Sequence, residues 1–144
     1  MTKDVIVSIK GLQFESDGDE PVEVISVGQY YYKNEKHYIL YEEIIEDEQG
    51  NSEVTKNTIK ISKDTMEILK KGVNNTHMVF ERNKKNLTYY NTPFGQLIIG
   101  IDTTGFKVIE DDNAIGVKIR YNLEINYSHV SDCEIVIKIL AKDN

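Results

Sequence analysis

Hydrophobic and polar residues alternate most regularly between Ile115 and Tyr127. Ile115, Val117, Ile119, Tyr121, Leu123, Ile125 and Tyr127 share one parity, and Gly116, Lys118, Arg120, Asn122, Glu124 and Asn126 the other. Successive side chains of a strand point to opposite faces, so this period-two pattern predicts a strand with one apolar face and one face made for water. Extended, the stretch measures about 44 Å, which is longer than an ordinary strand and suits one that coils around a barrel.

Similar patterns recur along the chain. Lys3 to Leu12, Val22 to Lys33 and His37 to Ile45 predict three strands, with Glu15 to Pro21 a turn by composition. A two-residue turn at Asn34-Glu35 sets Tyr32 opposite His37, Tyr31 opposite Tyr38 and Val27 opposite Glu42, although the second central position lacks the glycine that a type I′ hairpin favours. Ser52 to Ser62 is the next strand. A turn at Lys63-Asp64 places Ile61 opposite Met66, Ile59 opposite Ile68 and Lys60 opposite Glu67. Residues 64–72 also fit a short helix, with Asp64 and Glu67 as a capping box, Lys70-Lys71 in the last turn and Gly72 at C′. The strand is preferred because the segment spans fewer than two helical turns once its caps are removed.

His77 to Arg82 and Lys85 to Thr92 predict a hairpin with Asn83-Lys84 at its tip. It pairs Phe80 with Leu87 and Met78 with Tyr89 on one face, and His77 with Tyr90 on the other. After a Thr92-Pro93-Phe94-Gly95 turn, Gln96 to Glu110 is a long strand in which Gly100 or Gly105 marks a bend or bulge. Asp132 to Ala141 closes the series with Cys133, Ile135, Ile137 and Ile139 on its apolar face. About 8 to 10 strands joined by short turns describe an all-β antiparallel meander. Its edges are best protected by closure into an up-and-down, calycin- or lipocalin-like barrel, with a two-sheet sandwich as the alternative.

Composition supports this class. Ile, Val and Thr number 40 and Ala, Leu and Met only 12, a balance that favours pleated surfaces over helices. The 144 residues form one domain, 1–144, large enough to bury a core without metal or disulfide staples. Cys133 is the sole cysteine, so no internal disulfide forms, and the N-terminal residues are neither a signal peptide nor a membrane span. A cytoplasmic location is expected. The net charge of -7, with no basic cluster beyond Lys70-Lys71 and Lys84-Lys85, argues against partners among nucleic acids and anionic membranes.

Several blocks carry a family resemblance: Gly28 to Asn34 with Tyr38 to Glu43, Asn75 to Glu81, Leu87 to Gly95, and Leu123 to Asn126. In this order they resemble the YwiB-like bacterial proteins, and the likeness covers nearly the whole chain. It implies a calycin-like β-barrel of bacterial origin, a fold whose relatives often hold a small apolar ligand inside, and it carries over no functional residue.

Among polar residues, Glu42-Glu43 is the most informative pair, because adjacent strand residues face opposite sides and one carboxylate of a wall strand must point inward. The parity holding Ile25, Val27, Tyr31, Tyr38, Leu40 and Ile44 is the more apolar, which predicts Glu42 and Gln29 inside. An interior carboxylate would anchor a ligand in an apolar cup, unless the strand has reached the rim and both carboxylates are wet. Tyr31, Tyr38, Tyr89, Tyr121 and Tyr127 share the expected inward parity and either line such a pocket or fill the barrel. The candidate ligand-binding set is therefore Glu42, Gln29, Tyr31, Tyr38, Tyr89 and Tyr121.

His37, His77 and His129 lack metal-ligand spacing, and no phosphate loop or dinucleotide fingerprint occurs, so no metal or cofactor is expected. Ser128, His129, Asp132 and Cys133 do not make a nucleophile site, because Cys133 lies on the apolar parity where thiolate formation is disfavoured. No residue set proposes catalysis. Two functions follow as expectations: a barrel that binds a small, partly apolar ligand in its interior, or a filled barrel that acts as a protein-interaction module. A filled interior would favour the second.

Overall fold

The computed structural model describes residues 3–11, 23–46, 48–72 and 75–142, which form ten antiparallel strands and no helix. These are β1 (Asp4–Lys10), β2 (Glu23–Lys33), β3 (Lys36–Glu46), β4 (Ser52–Ile61), β5 (Thr65–Lys71), β6 (Thr76–Glu81), β7 (Lys85–Thr92), β8 (Gly95–Glu110), β9 (Ala114–Ile125) and β10 (Ser128–Ala141). The expected turn at Glu15 to Pro21 lies outside the described residues. Strand order is β6-β5-β4-β3-β2-β1-β10-β9-β8-β7, so the first and last strands pair in mid-sheet and the meander curls into a nearly closed barrel.

Residues 65–71 are a strand, and the predicted pairs Ile61–Met66, Ile59–Ile68 and Lys60–Glu67 all form. The pairs Tyr32–His37 and Tyr31–Tyr38 form as well. Asn34 and Glu35 adopt φ 54° and 62°, the left-handed pair a type I′ turn requires, even without glycine. The β8 bulge falls between Thr103 and Gly105.

Other expectations fail for physical reasons. The hairpin pairs Phe80–Leu87 and Met78–Tyr89 do not form, because β6 and β7 are the two sheet edges. At their junction only Asn83 takes a positive φ, and a two-residue I′ turn needs two such residues. The junction instead bonds to β8, with Asn83 N–H donating to Thr103 O and Thr103 N–H donating to Lys84 O, each at 3.1 Å. Tyr127 is not an inward strand residue. β9 ends at Ile125, and Asn126 and Tyr127 (φ 52° and 68°) form the exposed turn into β10.

The main correction concerns β2 and β3. Glu42, Gln29, Tyr31 and Tyr38 lie on the outward parity, with Tyr31 opposite Tyr38 and Gln29 opposite Leu40, whereas Ile39, Tyr41 and Gly28 are buried. Hydrophobic count misjudged the parity because Ser26 and Gly28, on the inner side of β2, add nothing to an apolar tally while both sides carry tyrosines. A Cβ on Gly28 would lie 2.8 Å from Leu40 O and 3.3 Å from Val7 Cγ2, so only glycine permits this packing. Tyr89 is likewise outward and exposed, paired with Ile98 on β8. Tyr121 is inward and buried, as expected.

Inside, the side chains of Val5, Val7, Ile59, Ile68, Ile119 and Ile137 form one apolar cluster with their neighbours. Phe80 of β6 meets Tyr121 of β9 edge to face, ring centroids 5.2 Å apart. β6 closes against β8 beside β9, with Thr103 of β8 bonded to the β6–β7 junction and paired with Tyr121, so the two rings fill the core at this seam.

Candidate binding groove

Reading across the outer face of β2 to β5, the registers bring residues into rows. Gln29, Leu40, Thr58 and Leu69 stand side by side on four successive strands. Strands lie about 4.8 Å apart, so this row runs roughly 14 Å across the sheet. Glu42, Lys56 and Lys71 form the row on one side. Tyr31, Tyr38 and Lys60 form the row on the other, with the tyrosines stacked at 4.7 Å and the Lys60 ammonium 5.7 Å from the Tyr38 ring centroid. The short Thr58 lies between the long side chains of Lys56 and Lys60 on β4, and the depression they border is a cavity of about 770 Å³ that also reaches Asp4 and Val27.

The wall weakens at one end of this groove. The β2–β3 ladder stops at Gly28–Tyr41, before the expected Val27–Glu42 pair, so Glu23–Val27 pairs only with β1 and Glu42–Glu46 only with β4. Around this fork the outward apolar residues stay uncovered: Ile44 is 74% exposed, Ile25 66% and Val27 62%, with Val54 beside Ile44 also exposed. Isolated exposed apolar residues are ordinary on protein surfaces; here they come in two neighbouring pairs, Ile25 with Val27 along β2 and Ile44 with Val54 across β3–β4, one on each prong of the fork, and Val27 lines the cavity.

The groove's charge is unbalanced. Lys56 and Lys71 face each other directly across the β4–β5 ladder, an arrangement that costs roughly 0.2–1 kcal/mol when both are charged. Neither closes an ion pair among the described residues, and Glu42, opposite Lys56 on β3, closes none either.

Two polar clusters occupy the interior ends. Near the fork the inward carboxylate is Glu43, not Glu42. Asn57 Nδ2 donates to Glu43 Oε1 at 2.8 Å, and Lys70 Nζ donates to the same oxygen at 3.2 Å. Burial first, and then the Glu43 charge, pushes the Tyr41 phenol well above its ordinary value. At the opposite end Tyr30 Oη lies 2.7 Å from His37 Nδ1, and His37 Nε2 lies 2.7 Å from Glu110 Oε2. A neutral imidazole donating from Nε2 to the carboxylate leaves Nδ1 to accept the phenol O–H, so the chain of bonds ties the β2–β3 hairpin to the end of β8. Burial, then Glu110, then Tyr32, raises the Tyr30 phenol, which makes it a weaker proton donor. Tyr121 is raised by burial and then by Cys133, through its charge and through hydrogen bonding to its side chain.

The structure thus brings Glu42 and Gln29 together in one cavity and sets Tyr31 and Tyr38 on its bank, all on the outside of the wall. Tyr89 and Tyr121 belong elsewhere. Sequence reasoning missed Lys56, Lys71, Thr58 and Leu69. Their signal was available, because the register that sets Lys60 opposite Glu67 also sets Lys56 opposite Lys71.

Comparison with known proteins agrees with the fold. No helix among the described residues is long and apolar enough to cross a membrane. None of the curated proteins matches the chain. The crystal structure of the ywiB protein from Bacillus subtilis superposes with a TM-score of 0.76 at 21% identity, over 98% of this chain and 93% of that one. Residues 7–137 match the family described as a domain of unknown function, DUF1934, and the chain belongs to that family.

Proposed function

We propose that this chain is a protein-interaction module whose docking face is the outer side of β2–β4. The observation that carries the reading is the group of uncovered apolar residues Ile25, Val27, Ile44 and Val54 beside the groove. It is supported by the interior, which is occupied by a cluster of buried apolar side chains that includes Phe80 and Tyr121. Burying such a face removes apolar area from water at about 25 cal/mol per Å², which makes it a natural association surface. A second reading is a small, partly apolar ligand held in the groove by Glu42 and Gln29. The cavity volume favours it, since about 770 Å³ falls within the range of small-molecule sites.

Native mass spectrometry of the protein purified from its own cells tests both. The interaction reading expects a defined protein complex that is lost on Ile44→Asp and kept on Lys118→Asp. A small added mass that disappears on Glu42→Ala would favour the second reading. The bare subunit alone would overturn both.

A further inference from the structure

We infer that the groove recognises a short, extended, acidic segment of the partner protein, laid across the strands with its carboxylates on Lys56 and Lys71. This rests on the interaction reading above and names the chemistry of the partner. Its basis is charge complementarity. Lys56 and Lys71 are direct cross-strand neighbours on the outer face, and Lys60 follows Lys56 two residues along the same face of β4. Some cations elsewhere on the wall have found carboxylates, Arg120 bonding Glu134 at 3.0 Å, Lys118 sharing that carboxylate at 3.9 Å and Lys85 meeting Glu124, and what sets Lys56 and Lys71 apart from other unpaired lysines is that they face each other beside a groove. At Lys56 and Lys71 no such partner closes among the described residues, although the chain carries seven more negative than positive charges. A carboxylate placed between the two ammonium groups would relieve their repulsion and form charge-assisted hydrogen bonds with both.

Shape narrows the occupant. The floor from Gln29 to Leu69 is roughly 14 Å long, about the length of four extended residues at 3.4 Å each. Leu40 and Leu69 on that floor offer apolar contact, and Val27 continues it toward the fork. The matching segment therefore carries an apolar residue toward β2 and acidic residues toward β5. Glu42 and Asp4 also line the groove. Both would repel a continuous polyanion such as nucleic acid, whereas a peptide can place its charges at one end only.

The test is selection of a displayed library of random peptides against the whole chain, repeated against a Lys56→Gln/Lys71→Gln variant. These outward lysines repel each other, so neutralising them leaves the fold intact, which circular dichroism checks. The expected result is enrichment of peptides combining Asp or Glu with an apolar residue. Their affinity should fall at least about tenfold on the variant and weaken with added salt. Glu42→Gln should tighten the same peptides. Peptides without acidic residues, acidic peptides that bind the variant equally well, or no selected peptide at all would overturn the inference. So would occupation of the groove by a second copy of this chain. If peptides fail while the native complex is still lost on Ile44→Asp, the acidic-segment inference falls and the interaction reading stands.

Discussion

The β9–β10 wall and the β2–β3 wall are built on the same alternation and differ in what faces water. On β9 the outward residues include Lys118, Arg120 and Asn122, and the first two share Glu134 on β10. On β2 and β3 the outward residues include Ile25, Val27, Leu40 and Ile44, while the inner side admits Gly28, Ser26 and Glu43. Through its middle the first wall sets paired charges to water and core to the inside, with exposed apolar residues only toward the ends of β10 at Val130 and Leu140. The second leaves apolar area uncovered around its fork and turns inward a half-buried carboxylate held by Asn57 and Lys70. Where a strand departs from the arrangement that best serves stability, the departure points to what the surface touches.

The contrast breaks most easily by placing a charge on each wall. Ile119→Asp puts a carboxylate in a fully buried site and should cost more than about 4 kcal/mol, enough to prevent folding, whereas Ile44→Asp and Ile25→Asp should change stability by less than about 0.5 kcal/mol. Urea unfolding measures all three. Equal tolerance on the two walls would reverse the assigned parity.

Alkaline unfolding draws on one buried phenol from each wall. Tyr41 and Tyr121 have folded-state pKa values raised above the ordinary 10 of an unfolded tyrosine. Above that pH the unfolded chain gives up protons that the folded chain keeps. The stability these groups contribute is therefore whole below about pH 10 and falls as pH rises, by about 1.4 kcal/mol per pH unit for each tyrosine. Tyr41→Phe and Tyr121→Phe should each lower the slope seen in pH-dependent urea midpoints, with Tyr30, also raised, keeping part of it in the double variant. The Tyr121 hydroxyl has at most the weak thiol of Cys133 beside it, so its loss should cost little at neutral pH.

Gly28→Ala probes the small residues inside the second wall. The added Cβ meets the Leu40 carbonyl at 2.8 Å, and backbone must move to admit it, at a cost of about 1–3 kcal/mol in thermal or urea unfolding. Gly116→Ala, on β9, has open space around the new carbon, with only Ile109 O at 3.9 Å, and should be close to neutral. The smallest expected effects are gains at the two I′ turns. Tyr127→Gly and Glu35→Gly relieve left-handed φ values of 68° and 62° and should each raise stability by roughly 0.5–1 kcal/mol.

These comparisons show what the sequence could reveal. β9 and the β4–β5 register were legible because one parity is apolar and the other charged, so only one orientation buries the right atoms. The β2–β3 parity was not legible, because both faces carry large side chains and the inward one is decided by a glycine's close approach to Val7 and Tyr41, a tertiary fact. The choice between Glu42 and Glu43 turned on the same point. The fork beyond Gly28 depends on strand coiling, which residue alternation does not encode. The Lys56–Lys71 pair was within reach of register reasoning, but it gained meaning only once the row beside it proved to be a groove.

The central claim is that the outer face of β2–β3 is covered by a partner in the cell, and thiol labelling tests it most directly. In a Cys133→Ser background, cysteine is introduced by Ile44→Cys on this face and by Glu134→Cys on the opposite wall, both at exposed positions. Both thiols should label rapidly in the purified chain, while in intact cells Ile44→Cys alone is protected. Equal labelling of the two in cells would contradict the claim.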